Sequence, residues 1–334
     1  IIGNVWQWTQ TPIDGLPGFE VHEVYDDFST PTFDGQHNLI KGGSYFSTGN
    51  SALKDSRYAF RRHFFQHAGF RYVEGEEPII TTSNPYETDE QVSQYIEFHF
   101  GSDYHGVPNF AGACGTLCLE YFASKTEKRQ SRRALDLGCA IGRTSFELAR
   151  EFDHVDGIDF SARFVSAATQ LKENDSKRYT IRDEGDLFSF KETSLAEHGL
   201  AETAHKCEFW QGDACNLSDK FSNYDLVFAG NLIDRLYEPE KFVSRIHELV
   251  NEDGLLVITS PYTWLSEFTD QENWIGGYKR DGENFTTLDG LKELLAPHFD
   301  LVDEPRDVPF VIRETARKFQ HSVAQMSVWH KRKK

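Results

Sequence analysis

The sequence predicts an α/β fold, a Rossmann-like sheet of seven strands flanked by helices, on three observations. After Pro78, helical stripes alternate with short apolar strands, the pattern of a parallel sheet joined by crossover helices. The run Arg132-Arg133-Ala134-Leu135-Asp136-Leu137-Gly138-Cys139-Ala140-Ile141-Gly142-Arg143 reads as a buried strand that ends in a glycine turn and opens a helix. Two later strands run into acids, Asp159 and Asp213.

Taken in order, the first strand passes through Leu135 into the G-x-x-x-G of Gly138 and Gly142. Glycine tolerates the dihedrals of such a turn and leaves no Cβ in the way of a ligand. The spacing is not G-x-G-x-x-G and no G-K-[ST] follows, so a pyrophosphate cradle and a nucleoside triphosphate site are both poorly supported. Residues 144–152 carry apolar side chains at helical spacing, and 155–159 form a second strand whose closing carboxylate suits the two ribose hydroxyls of an adenosine. A helix over 164–173 precedes a third strand at 208–211, and the Asp213 carboxylate with the adjacent Ala214 amide suits an adenine amino edge. A strand at 224–229, a helix at 239–250, a strand at 255–259 and a helix at 288–295 continue the alternation. Two terminal strands, around Leu301 and over 324–329, complete the sheet, and residues 176–205 read as an insertion polar enough to lie outside the core.

Three strand ends thus converge on one adenosine, and this ordered set resembles the class I S-adenosylmethionine-dependent methyltransferases. The resemblance implies S-adenosyl-L-methionine as cofactor and S-adenosyl-L-homocysteine as product. It places Asp136, Gly138, Cys139, Gly142 and Arg143 at the methionine end, Asp159 and Phe160 at the ribose, and Asp213 and Ala214 at the adenine. The helix opened by the glycine turn faces the cofactor carboxylate with its N-terminus. In this fold ligands lie beyond the carboxyl ends of the strands, which puts Asn231, Asp234, Tyr262 and Trp264 near the methyl group. Asn231 and Asp234 are the candidates to contact the cofactor ammonium or an acceptor nitrogen. Tyr95, His99 and Tyr104 are candidates to cover the pocket from an N-terminal helical lid, with Tyr104, Asn231 and Asp234 as the catalytic set. Arg313 or Arg317 would pair with an acceptor carboxylate, for which a guanidinium fork is well shaped.

The organisation changes near Gly75, which divides the chain into 1–75 and 76–334, with lid helices in 76–130. The first part is rich in glycine, aromatic and turn residues, and its one helical stripe lies at 52–67. Gly3-Asn4-Val5-Trp6-Gln7-Trp8, Lys41-Gly42-Gly43-Ser44-Tyr45-Phe46, Arg61-Arg62 and Gly69-Phe70-Arg71-Tyr72-Val73 resemble the closing third of the formylglycine-generating (sulfatase-modifying factor) family, with Gln7 where that family has Glu. In the ovothiol biosynthesis enzymes a domain of that kind, an iron-dependent sulfoxide synthase, is followed directly by a 5-thiohistidine N-methyltransferase. Residues 78–334 resemble that methyltransferase, through Tyr104-His105-Gly106-Val107-Pro108-Asn109-Phe110, Gly230-Asn231-Leu232-Ile233-Asp234-Arg235-Leu236 and Ile312-Arg313-Glu314-Thr315-Ala316-Arg317-Lys318-Phe319. The implied reaction is methylation of the π imidazole nitrogen of 5-thiohistidine to give ovothiol A. The resemblance also implies a sulfoxide synthase domain or protein upstream as partner, holding the iron, and no metal in this chain.

Each assignment has a plainer competitor. Asp136 can cap the glycine turn, Asp234 and Arg235 can form an ion pair, and Tyr262 and Trp264 can serve as packing. Arg313 and Arg317, four apart, can form one solvated helical face. His63 and His67 are spaced for a metal on a helix but lack a third ligand, and Cys114 and Cys118 read as core thiols.

A net charge of -18 disfavours nucleic acid, whose phosphates need basic patches. Five cysteines without a C-x-x-C pair fit a reducing, cytoplasmic setting, and no apolar stretch reaches the length of about 20 residues that spans a bilayer. The acceptor that the resemblance implies is a small amino acid. The rival readings are a methyltransferase for another small molecule or a protein side chain, and a catalytically silent methyltransferase fold that serves as a docking module.

Overall fold

Leu135, Leu137, Val155, Leu226, Val227 and Leu256 form near-continuous apolar runs, and none is accessible to solvent. Parallel strands covered on both faces require such runs. The structure is a computed structural model and describes residues 3–13, 32–33, 36–53, 55–71, 86, 88–126 and 131–333. The chain forms two units, Ile1–Glu87 and Thr88–Lys334. The expected division at residue 75 falls outside the described residues.

The second unit opens with α1 (Asp89–Phe100) and α2 (Phe110–Lys125), each capped by a side chain, Thr88 and Asn109, that accepts a backbone amide. The sheet then starts with β5 (Arg133–Leu137), followed by α3 (Arg143–Leu148), β6 (His154–Asp159) and α4 (Ala162–Asn174). A hairpin of β7 (Ser176–Glu184) and β8 (Leu187–Ser194) leads to β9 (Cys207–Gln211) and β10 (Tyr224–Gly230). After α5 (Pro239–Arg245) come β11 (Val250–Ser260), a small hairpin of β12 (Tyr278–Arg280) and β13 (Glu283–Phe285), and α6 (Thr287–Leu295). The chain closes with β14 (Phe299–Leu301), β15 (Arg306–Arg313) and β16 (Phe319–Lys331).

Seven strands lie in the order β14-β16-β11-β10-β5-β6-β9, and β15 pairs with β16 as an eighth. Strands β5, β6, β9, β10 and β11 run parallel, and β16 is antiparallel to β11. From β5 the chain winds outward through β6 and β9 and then returns to place β10 on the other side of β5. The crevice beyond the carboxyl ends of β5 and β10 is therefore the topological switch point, where open α/β sheets bind ligands.

The sheet departs from expectation at its end, where three terminal strands replace two. Pro309 sits inside β15, and the strand tolerates it because β15 pairs on one side alone. The same strand removes the helical face suggested for Arg313 and Arg317, since Arg313 closes β15 and Arg317 stands in the turn before β16. The expected helix at 239–250 stops at Arg245, passes through a 3-10 turn and enters β11 at Val250. The region 176–205 is not wholly outside the core: Tyr179, Ile181, Thr193, Leu195 and Leu200 are buried.

In the first unit, β1 (Trp6–Pro12), β2 (His37–Lys41), β3 (Tyr58–Arg61) and β4 (Ala68–Gly69) form a sheet in the order β3-β2-β1-β4. The helical stripe expected over 52–67 is instead β3 preceded by a 3-10 turn at Gly49–Ala52. His63 and His67 thus lose the helical spacing that made them a candidate pair.

Candidate active site

The loop after β5 holds the tightest backbone of the switch point. Gly138 and Gly142 have φ of 72° and 81°, and Ala140 between them has φ of 46°. A Cβ on Gly142 would lie 2.6 Å from the Phe209 ring, and one on Gly138 would lie 3.2 Å from Leu232. Both glycines are thus fixed by dihedral and by space. Left-handed non-glycine residues also leave the ends of the neighbouring strands, Asn231 after β10 (φ 50°) and Tyr262 after β11 (φ 54°). Such backbone strain concentrates at functional loops.

Asp159 ends β6 beside this turn. Its Oδ2 accepts the Ala140 amide at 2.9 Å and its Oδ1 accepts the Ser161 amide at 2.8 Å. Burial pushes its carboxyl up to about 6 against those two amides. Each oxygen keeps a lone pair for a further donor, which suits a ribose diol. Asp213 follows β9, and its Oδ1 accepts the Cys215 amide at 2.9 Å while Oδ2 accepts the Tyr237 hydroxyl at 2.7 Å. Ala214 and Phe160 flank these acids, half-buried and exposed respectively. The set fits an adenosine: a turn held open by two left-handed glycines, an acid at Asp159 with lone pairs left for a diol, and an acid at the next strand end.

Asn231 sits at the end of β10. Its amide donates to the Thr259 carbonyl at 2.9 Å, and its Oδ1 accepts the Thr259 hydroxyl at 3.1 Å. Its side-chain NH2 is the group that can face a ligand.

Several expected ligand contacts are turned elsewhere. Asp136 is 1% exposed and accepts the Ser145 hydroxyl at 2.6 Å, so it ties α3 to β5, and burial pushes its carboxyl up to about 7. Arg143 pairs with Glu147 at 2.8 Å and lies over the Phe100 ring, which directs the guanidinium into α1 and away from the glycine turn. Asp234, also 1% exposed, accepts from Ser260 (3.0 Å), Arg235 (2.9 Å) and both the amide and hydroxyl of Thr263 (3.1 and 2.9 Å). With three donors on Oδ2 and Ser260 on Oδ1, and buried from solvent, it ties the β10 and β11 loops together. Cys139 is buried, and burial holds its thiol well above the usual range, protonated and inert.

On the acceptor side, Tyr262 donates to Gln325 at 3.0 Å, and Trp264 donates to Thr287 at 2.9 Å while stacking with Trp274. Trp264 is thereby fixed as packing. Tyr95 packs on Phe164 with ring centroids 4.6 Å apart. His99 accepts the Arg143 amide at Nδ1 (3.4 Å); burial, then the Arg143 charge, lower its pKa to about 3 and keep it a neutral acceptor at the start of α3. Tyr104 lies in the loop after α1 and donates to Glu97. Arg313 donates to Asp183 at 2.6 Å, and Arg317 is exposed.

Three further residues belong to this side. Buried Glu97 and Tyr179 form a cluster with half-buried Lys191 and Tyr104, and the alternation of Tyr179 and Ile181 with polar neighbours along β7 is the signal in the sequence for a strand that faces inward there.

Among the described residues, His154, Asp156 and Glu208 form the one group of three potential metal-ligating side chains. Asp156 there already accepts from Arg133, Trp210 and Tyr224 at 3.2, 2.9 and 2.8 Å, so its carboxylate belongs to a structural network at the amino end of β6. All five cysteines are free thiols. No helix among the described residues is long and apolar enough to cross a membrane.

Comparison with known proteins agrees with this geometry. Residues 128–286 match the family described as a methyltransferase domain. The chain is 36% identical over 73 residues, 22% of its length and 9% of the relative's, to ergothioneine biosynthesis protein 1 of Schizosaccharomyces pombe. Over 45 residues, 14% of its length and 10% of the relative's, it is 42% identical to hercynine oxygenase of Mycobacterium tuberculosis. Over 145 residues, 43% of its length and 40% of the relative's, it is 27% identical to ajmaline N-methyltransferase of Rauvolfia serpentina. The chain thus spans a small part of the first two relatives and less than half of the third. The fold of the second unit is that of the class I methyltransferases.

Proposed function

We propose that this S-adenosylmethionine-dependent methyltransferase transfers a methyl group to the π imidazole nitrogen of 5-thiohistidine, giving ovothiol A. The observation that carries the reading is a coincidence on one chain. A methyltransferase domain occurs together with stretches similar to an ergothioneine biosynthesis protein and a hercynine oxygenase. Ergothioneine, like ovothiol, is a thiol built on histidine.

Bound S-adenosylmethionine supplies an electrophilic methyl, whose S–C bond breaks as the N–C bond to the imidazole forms, leaving a neutral thioether and an imidazolium that loses its ring proton. The nucleophile already carries a lone pair when neutral. The protein's task is therefore alignment and exclusion of water more than strong base catalysis. In this reading Gly138, Gly142 and the backbone after them take the methionine end of the cofactor, Asp159 takes the ribose hydroxyls, and Asp213 with the Ala214 amide takes the adenine edge once Tyr237 yields. Asn231 orients the ammonium or the imidazole through its amide. Tyr104 and Arg313 meet the amino-acid head of the acceptor, and Asp234 holds the loops that present Tyr262.

The similarity to ajmaline N-methyltransferase favours a second reading, a different small nitrogen-bearing acceptor on the same cofactor site. Mass spectrometry of the full chain with S-adenosylmethionine and 5-thiohistidine, with histidine as control, separates the two. A one-methyl gain on 5-thiohistidine alone, matched by S-adenosylhomocysteine, is the expected result. Cofactor binding without that gain would transfer the assignment to other acceptors.

A further inference from the structure

A helix, a hairpin and a loop meet on one carboxylate. Glu97 of α1 is 3% exposed and accepts the Tyr179 hydroxyl of β7 at 2.6 Å, the Lys191 ammonium of β8 at 2.8 Å, and the Tyr104 hydroxyl from the loop after α1. Burial alone would raise its pKa, yet these hydrogen bonds outweigh burial and hold the carboxyl below the usual range. The β15–β16 turn joins the same assembly. Gln94 of α1 donates to the Arg313 carbonyl at 3.3 Å, Arg313 donates to Asp183 of β7 at 2.6 Å, and the Ala316 amide donates to the Asp183 carbonyl at 3.1 Å.

The other side of α1 rests on α4 and on the start of α3, the helices that follow Asp159 and the glycine turn. Tyr95 and His99, four apart and so on one helical face, touch Phe164 after β6 and the Arg143 amide after β5. Glu97, two residues from each, turns away from that face toward the hairpins. One helix therefore touches the helices behind the candidate cofactor loops on one side and both candidate acceptor contacts, Tyr104 and Arg313, on the other.

We propose that Glu97 is a positioning residue that couples the two halves of the site: filling of the cofactor cradle steadies α1, and Glu97 transmits this to β7–β8 and the Tyr104 loop, so that cofactor binding and order on the acceptor side reinforce each other. The inference rests on the reading of S-adenosylmethionine at the glycine turn. Glu97 acts through the hydroxyls of Tyr104 and Tyr179 and the ammonium of Lys191. Its loss would also leave the Lys191 ammonium without its buried partner.

Hydrogen exchange of the full chain with and without S-adenosylhomocysteine tests the coupling. In the wild type, exchange slows at 138–143 and also over 176–194, the latter by roughly fivefold or more, the lower end of measured site-to-site couplings. In Glu97→Gln the protection at 138–143 persists and that at 176–194 is lost. Tyr179→Phe, a milder change, reduces the hairpin protection and guards against a folding defect in the first variant. Protection at 138–143 with an unchanged hairpin in the wild type, or full hairpin protection in both variants, overturns the proposal. Absence of protection at 138–143 itself would instead remove the cofactor reading, and the coupling with it.

Discussion

At the scale of single residues, the two acids beside the glycine turn, half-buried Asp159 and buried Asp136, have different tasks. Asp159 accepts two amides and retains capacity for a diol, so Asp159→Ala is expected to weaken S-adenosylhomocysteine binding by about 1.5–3 kcal/mol, the usual contribution of hydrogen bonds to a charged group. That corresponds to roughly ten- to hundredfold in Kd by calorimetry, and an unchanged Kd would withdraw the ribose assignment. Because its carboxyl titrates near about 6, affinity should also fall as pH drops through that value and the anionic acceptor is lost. Asp136 gives the opposite signature in stability. Its folded pKa, about 7, lies above its ordinary value of 3.8, so the native state binds the extra proton and stability falls as pH rises from about 4 to about 7. Asp136→Asn, which keeps an acceptor for Ser145, should therefore be more stable relative to wild type at pH 8 than at pH 5 in urea melts. A pH-independent difference would show that burial of the charge is not the cause.

At the scale of elements, the glycine turn and the strands around it were legible because their constraints are local: a positive φ, a missing Cβ and an apolar run each leave a mark at one position. Gly142→Ala combines a φ of 81° with a Cβ 2.6 Å from the Phe209 ring, so it should destabilise the fold by about 1–3 kcal/mol and abolish measurable cofactor affinity. Wild-type affinity in that variant would mean the turn bends freely. The elements that escaped the sequence are those fixed by distant partners. Residues 176–194 look like a polar insertion because Lys191 is charged and Tyr179 ends in a hydroxyl, and only the tertiary fold supplies Glu97 to satisfy both. The strand at 306–313 was obscured by Pro309, whose tolerance depends on an edge position that no local pattern reveals. The same reason explains Asp234 and Arg143. Their residue types suit catalysis in the first case and cofactor binding in the second, while Thr263 and Ser260 in one and Glu147 in the other claim their polar atoms.

At the scale of the molecule, the two units differ in what holds them. The second has a continuous core in which Trp329, Tyr224, Phe146 and Phe152 are fully buried, whereas among the described residues of the first unit Ile40 is the one buried hydrophobic side chain. Tyr45, Phe46, Phe65 and Phe70 of the first unit are exposed. Cooperative unfolding heat scales with buried surface, so calorimetry of the full chain should show a dominant transition belonging to 88–334. Ligand linkage then identifies it. S-adenosylhomocysteine at about 100 times its Kd adds about 2.7 kcal/mol to the unit that binds it, and for a domain of this size that is roughly 5–10 °C in Tm. The dominant transition should move by that amount, and Asp159→Ala should halve the movement or more at the same ligand concentration. A second transition of comparable heat, indifferent to the ligand, would instead show that the first unit holds a core of its own.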